Sequence, residues 1–149
     1  MNNTNSIISF KVDGVLKEAK GKQNVFSAYV KEENAMMIIG NLDATGDQQI
    51  ALTITNFHGV GEYYADEETN MEDFGGMYTS SELEQSYYST KGKIKITEYT
   101  EGKSIKGEFQ FDGVAAIFVI GNTNPTEVTK VFSEGKFQTI IIPTPAMTP

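Results

Sequence analysis

The sequence predicts an all-β fold, an antiparallel β-sandwich of about nine or ten strands, from three observations. Apolar and polar residues alternate in short segments, as in strands that bury one face. Glycine, asparagine and aspartate separate these segments, which is typical of turns between strands. The chain has 149 residues, the usual size of one domain. Residues 1–142 are therefore expected to form a single β domain, and 143–149 a proline-rich tail.

Alternation is clearest in the first part of the chain. Residues 8–12 alternate up to the turn signal Asp13-Gly14. Residues 26–30 mark a second strand, in which Phe26 begins the apolar set. The segment 35–42 (AMMIIGNL) is apolar on both faces, so we expect it in the middle of a sheet or at an interface.

The later segments continue the strand pattern. Residues 43–48 are interpreted as a hairpin loop whose second strand is 50–54. The run 114–120 (VAAIFVI) is apolar on both sides, and its short length and β-branched residues favour a strand over a helix. Helix-forming residues occur together only over Thr79–Tyr88, which could supply two turns at most.

Two Glu-Gly pairs predict hairpins with a defined register. Residues 100–103 (TEGK) close the first, because glycine supplies the positive φ that a two-residue turn requires. Apolar pairs then share one face and an opposite-charge pair lies on the other. The expected pairs are Ile94 with Phe109, Ile96 with Gly107, Lys95 with Glu108 and Lys93 with Gln110. The same device at 133–136 (SEGK) predicts a second hairpin, with Phe132 opposite Phe137.

Charge and composition exclude several classes of partner. All twelve basic residues are lysine and the formal net charge is −8, so we expect no nucleic acid, because phosphate backbones and base edges favour clustered Lys and Arg. The absence of cysteine excludes disulfides and thiolate metal sites. No apolar run approaches the roughly 18 residues that span a bilayer, so membrane insertion is not expected.

Catalytic motifs are missing from the sequence. His58 is the only histidine, and it has no H-E-x-x-H partner, no G-x-S-x-G nucleophile and no glycine-rich phosphate loop to act with. We interpret it as a histidine in a surface loop. The sequence therefore predicts no enzyme and no cofactor.

The region between Tyr64 and Thr90 breaks the strand pattern and holds the first candidate site. Acidic residues cluster from Glu62 to Asp73. Their carboxylate oxygens are ligands that Ca²⁺ accepts, but the residue spacing of a calcium-binding loop is missing. We therefore favour a solvated acidic loop. Exposed tyrosine rings can stack on sugars or pack against a protein. The candidate ligand contacts are Tyr63, Tyr64, Tyr78, Tyr87 and Tyr88. In each adjacent pair, alternation points one ring inward.

The end of the chain holds a second candidate site. Ile140, Ile141 and Ile142 are consecutive, so both faces of this strand are apolar. Such a strand is either central in its own sheet, which we favour, or completes the sheet of a neighbouring subunit. In the second case these three residues would form a subunit interface.

A resemblance rests on four stretches of the β framework: ISFKVDG at 8–14, IALTITNFHGVG at 50–61, GKIKITEYTEGKSIKGEFQF at 92–111 and GKF at 135–137. These stretches resemble a family of uncharacterised small exported proteins of Bacteroidetes bacteria, many of them lipoproteins. The resemblance implies an antiparallel β fold and a location outside the cytoplasm, extracellular or at the cell surface. It supplies no activity. This chain departs from the family because it has no cysteine to carry a lipid anchor.

Two functions remain as hypotheses. The first is a non-catalytic extracytoplasmic module that binds a protein, a glycan or its own copies, the last through an edge or terminal strand. The alternative is a small-molecule carrier with a closed lipocalin-like β-barrel. In that barrel the strands that are apolar on both faces would line a cavity, and Met36, Met37 and Phe118 would contact a lipid.

Overall fold

Strands make up almost all of the described chain. The structure is a computed structural model, and it describes residues 6–43, 48–66, 71–80, 85–117 and 126–142. Within these ranges the chain forms one 3₁₀ turn at Lys31–Glu33 and eleven strands. The strands are β1 (Ile7–Val12), β2 (Val15–Lys20), β3 (Val25–Val30), β4 (Ala35–Asn41), β5 (Gln49–Ile54), β6 (Gly61–Asp66), β7 (Met71–Glu72), β8 (Phe74–Ser80), β9 (Gln85–Thr100), β10 (Ser104–Ile117) and β11 (Thr126–Ile142). The all-β prediction is confirmed.

Strand pairing produces two layers that are joined through the long strands β9 and β11. The first layer has the order β7-β6-β9-β10-β11-β1-β2, and the second has the order β3-β4-β5-β8. The beginning of β9 pairs with β8, and the end of β11 pairs with β3. The β11–β3 contact is parallel and joins only Ile141 to Ser27 and Ile142 to Ala28. The described strands therefore form a sandwich rather than a regular lipocalin-like barrel.

Aromatic side chains fill the space between the layers. Phe10 of β1 lies edge-on to Tyr78 of β8, with ring centroids 6.1 Å apart. Phe111 and Phe132 stack at 4.4 Å. Each such buried ring stabilises the fold by about 1.5–3 kcal/mol relative to an exposed one. The predicted inward residues Ile50, Leu52 and Ile54 are fully buried in the same core.

Glycines on the long strands lie opposite aromatic rings. Gly107 of β10 pairs with Phe137 of β11, and Gly135 of β11 pairs with Phe109 of β10. A Cβ atom on Gly135 would lie 2.6 Å from the ring of Phe109, so no larger residue fits without a shift. These pairs let the rings pack over the backbone of the neighbouring strand.

The hairpin of β9 and β10 has the predicted register but a different turn. All four predicted pairs are present, including Lys95 opposite Glu108. The loop between the paired Thr100 and Ser104 contains three residues, with Gly102 at φ 72°. A bulge then restores the predicted register: Glu98 pairs with Lys106 and Ile96 with Gly107, which leaves Thr97 as the extra residue. The Thr97 hydroxyl donates to the Lys106 carbonyl at 3.2 Å.

The second predicted hairpin is wrong. β11 continues without a turn through 133–136, and Phe132 and Phe137 are buried on the same strand. Glu134 has φ 49°, and two steps along β10 from Phe109 to Phe111 match three along β11 from Gly135 to Phe132. The left-handed residue therefore makes a β-bulge instead of a turn, because β1 and β10 hydrogen-bond to β11 on both sides of it.

Two other local expectations change. On β3 the fully buried positions are Val25 and Ser27, whereas Phe26 is half-buried on the outer face. The described residues of Thr79–Tyr88 belong to strands β8 and β9 rather than a helix, because the buried Tyr78 and Tyr87 pair across the sheet. Phe118, the loop residues 44–47 and the tail 143–149 lie outside the described residues.

Candidate functional site

An open groove crosses the outer face of the first layer. Its volume is about 740 Å³, and its lining comes from 64–65 of β6, 91–93 of β9, 110–112 of β10 and 131–133 of β11. The register aligns most of this lining in three cross-strand rows: Tyr64, Lys93 and Gln110; Ala65, Gly92, Phe111 and Phe132; Lys91, Asp112 and Val131. The groove therefore runs across four neighbouring strands.

The floor and the walls of this groove differ in chemistry. The floor is the middle row, whose side chains turn towards the core; Phe111 and Phe132 are buried. At Gly92 the strands lie so close that a Cβ atom would be 2.4 Å from the Gln110 carbonyl oxygen. The walls are the outer rows, and Tyr64 and Val131 keep 39% and 48% of their surface exposed. A ligand in the groove would meet strand backbone below and mainly polar side chains at the sides.

Tyr64 is fixed by its neighbours on the first wall. Its hydroxyl donates to Oε2 of Glu62 at 2.7 Å, and Nζ of Lys93 lies 4.0 Å from Oε1 of the same carboxylate. The hydrogen bond from Tyr64, followed by the charges of Lys93 and Lys95, lowers the pKa of Glu62. The same hydrogen bond raises the pKa of Tyr64. At neutral pH the pair is therefore a carboxylate and a neutral phenol.

The other groove residues supply several kinds of hydrogen-bonding groups. Lys91 carries a cationic donor, Asp112 an anionic acceptor, Gln110 an amide, and Ser133 a hydroxyl. A second hollow of about 370 Å³ adjoins the groove and shares Lys93 and Gln110 with it. Hydrogen-bonding side chains thus continue from the groove into this hollow.

His58 belongs to a structural cluster rather than to the groove. The Tyr63 hydroxyl accepts from the His58 backbone N–H at 3.0 Å and donates to the Gly59 carbonyl at 2.7 Å. The two rings lie 4.7 Å apart, and burial raises the pKa of Tyr63. A tyrosine that ties its hydroxyl to the backbone a few residues upstream fixes the corner before a strand, here β6.

The five candidate tyrosines do not form one site. Tyr63, Tyr78 and Tyr87 are 2%, 4% and 2% exposed and belong to the core. Tyr64 lines the groove. Tyr88 is 58% exposed, but it lies on the outer side of β9 between Met77 and Val114, away from the groove residues.

Asp73 of the acidic loop and the terminal isoleucines do not line the groove. Oδ1 of Asp73 accepts from Asn56 at 3.1 Å; the side chains of 66–68 and 72 lie outside the described residues. Among the residues whose placement is described, no three His, Cys, Asp or Glu side chains are grouped to hold a metal ion. Ile140 pairs with Ser104, Ile141 is 9% exposed, and Ile142 pairs with Ala28, so this strand lies inside its own sheet.

Sequence reasoning missed most of the groove. Lys91, Asp112 and Ser133 match no motif, and they meet only because β6 and β11 flank the central hairpin. One signal was present: the predicted register already set Lys93 beside Gln110. The order of the neighbouring strands was the missing information.

Fold and groove together define a small antiparallel β-sandwich domain with a ligand-sized groove on one face. A family model described as a domain of unknown function, DUF6252, matches residues 5–141, and the chain belongs to this family. The expectation of an uncharacterised family is confirmed to that extent. No curated protein and no solved structure matches the chain. Among the described residues, no helix is long and apolar enough to cross a membrane.

Proposed function

We propose that this protein is a non-catalytic module that binds a glycan in the groove across β6, β9, β10 and β11. The observation that carries the proposal is the exposed Tyr64 ring at the edge of a groove whose walls hold Lys91, Lys93, Gln110 and Asp112. Sugars present apolar C–H faces and many hydroxyl groups. An aromatic ring can stack on these faces, and mixed donors and acceptors can form hydrogen bonds with the hydroxyl groups.

The location proposed for this activity is outside the cytoplasm of a bacterium. The support is the resemblance of the stretches at 8–14 and 92–111 to exported Bacteroidetes proteins, many of them lipoproteins. Glycans are abundant on that side of the membrane. A groove that is open to solvent suits a ligand that stays attached to a surface.

A lipid-like carrier is less well supported. Met36 is fully buried among core side chains, and stacked rings such as Phe111 and Phe132 occupy the interior of the described sandwich. A carrier needs an enclosed apolar cavity of several hundred Å³. The groove at about 740 Å³ has the volume, but it lies on the outer face.

The test is a binding screen against a panel of neutral and acidic oligosaccharides, followed by titration calorimetry on any hit. Tyr64→Ala and Asp112→Ala should each raise the Kd at least about tenfold, since each removes a wall contact. The matched control is Tyr88→Ala, an exposed tyrosine of β9 that does not line the groove. It should leave the Kd unchanged.

Two results would overturn the proposal. One is a panel without saturable binding at millimolar sugar. The other is a hit whose Kd changes equally with Tyr88→Ala and Tyr64→Ala, because binding would then lie elsewhere. Circular dichroism of each variant separates lost binding from lost folding.

A further inference from the structure

The outer face of the second layer carries no ionisable side chain on its strands. We call it the uncharged face: the outward residues, every second one, of Phe26–Val30, Met37–Asn41, Gln49–Thr55 and Gly75–Thr79. Each is half-buried, and the residues between them point into the core. The chain as a whole carries twelve lysines and twenty acidic residues, so a four-strand face without any of them is unusual for it.

The register makes this face continuous. Phe26 pairs with Ile39, Ile39 with Ala51, and Ala51 with Met77, which places four apolar side chains in one cross-strand row. The neighbouring row contains Ala28, Met37, Thr53 and Gly75 in the same order. Side chains in such rows stand side by side and can pack against a second sheet about 10 Å away.

The shape of the face is self-complementary. Met37 and Ile39 form a ridge along β4, while Ala51 and Thr53 leave a shallow trough along the adjacent β5. A twofold axis between two such faces places the ridge of each copy in the trough of the other. Both features have the same length, because they come from paired residues.

The charge of the chain also favours a second copy of it as the partner of this face. Two copies with a net charge of −8 repel each other, and the repulsion acts least through a contact that contains no charges. The outer face of the first layer is different, since it carries charged groups such as Lys95, Glu108 and Lys136 around the groove. We propose that the uncharged face is the interface of a homodimer in which the two second layers pack face to face.

The size of the face sets the strength of this dimer. Interfaces bury about 800 Å² per partner over 20–30 residues, or about 30 Å² per residue, so thirteen outward residues would bury about 400 Å² on each copy. This area is typical of weak, reversible association. Association that is detectable only at high protein concentration is therefore expected, and the inference does not depend on the groove.

Sedimentation equilibrium from about 5 μM to 1 mM tests the proposal. The mass of the wild-type chain should rise from that of the 16.4 kDa monomer towards twice that value. Ile39→Lys puts a charge on the ridge and Ala51→Lys puts one in the trough, and each should hold the chain as a monomer. The matched control is Gln138→Lys, a half-buried outward residue of β11 on the first layer. It should associate like the wild type.

Cross-linking covers the case in which the lysine variants fail to fold. The chain has no cysteine, so Ala51→Cys and Gln138→Cys give single reactive sites. A short bismaleimide should join two copies of Ala51→Cys and not of Gln138→Cys. A wild-type chain that stays monomeric at 1 mM, folded lysine variants that associate normally, or equal cross-linking of both cysteine variants would each overturn the proposal.

Discussion

Adjacent tyrosines on β6 show how much one residue step changes an environment. Tyr63 is 2% exposed and bonds through its hydroxyl to two backbone groups, whereas Tyr64 is 39% exposed and bonds to Glu62. Successive side chains of a strand point to opposite faces, so the first ring supports the fold and the second lines the groove. Sequence alternation predicts that one ring is inward, but it does not predict which.

Tyr63→Phe should therefore destabilise the protein. The change removes a donor to the Gly59 carbonyl and an acceptor for the His58 N–H, and leaving such groups unsatisfied costs about 1–3 kcal/mol. Urea unfolding followed by circular dichroism measures the loss. Tyr64→Phe is the control, because its hydroxyl is exposed, and its unfolding midpoint should match the wild type. Equal midpoints for both variants would contradict the structural role of Tyr63.

Glu134 gives a prediction about pH. Its hydrogen bond with Lys11, 2.8 Å long, and the charge of Lys11 lower the pKa of this carboxyl. A lowered folded pKa means that the pair stabilises the fold above the ordinary glutamate pKa of about 4.3 and that this stabilisation is lost as pH falls through the folded value. Glu134→Gln should lower the Tm at pH 7 and have no effect near pH 2.

Thermal unfolding between pH 2 and pH 7 tests this prediction. Lys11→Met should reproduce the loss at pH 7, and the double variant should add little to either change, since both remove the same pair. A Tm difference that is independent of pH would show that Glu134→Gln acts through the bulge backbone instead.

At the scale of elements, two nearly identical four-residue sequences form different structures. TEGK at 100–103 forms a turn with Gly102 at φ 72°, while SEGK at 133–136 forms a bulge with Glu134 at φ 49°. Sequence alternation and turn residues therefore predicted the β9–β10 register but not the continuity of β11. The information that separates the two cases is tertiary, because β1 and β10 pair with both halves of β11.

Deleting Glu134 tests the bulge directly. Without it, Phe132 and Phe137 are four positions apart instead of five, so a regular side-chain period of two keeps both rings on the buried face. The deletion variant should therefore keep cooperative unfolding in urea. Glu134→Gly keeps the residue count and suits the left-handed backbone, so it should remain folded. A deletion variant that loses its cooperative transition would contradict the bulge.

At the scale of the whole molecule, the order of the strands explains the features that the sequence alone did not predict. The all-β class followed from local periodicity, whereas the groove needs β6 beside β9 and β11 beside β10. The terminal strand is similar: its two apolar faces were consistent with either a neighbour or its own sheet, and its pairing with Ser104 and Ala28 places it in its own sheet. Long-range pairings of this kind leave no local pattern.

Ile141 should matter for the whole fold. It is 9% exposed and pairs with Ser27 where the two layers meet. Ile141→Ala should lower the free energy of unfolding by about 2–4 kcal/mol, which is a drop of roughly 4–15 °C in Tm. Ile142→Ala, at the half-buried neighbour, should cost less. A folded monomer with an unchanged Tm after Ile141→Ala would show that this residue does not support the core.

The hydrogen-bonded strands that carry the groove have a mechanical consequence. The described lining of the groove lies entirely on β6, β9, β10 and β11, which pair side by side in one layer, so these strands hold its floor and walls at a fixed spacing. A ligand bound there, as we propose, would meet a preorganised surface: docking would order little of these strands, and escape would be limited by broken contacts. Backbone amides beneath the groove should therefore exchange with deuterium only when the entire molecule unfolds.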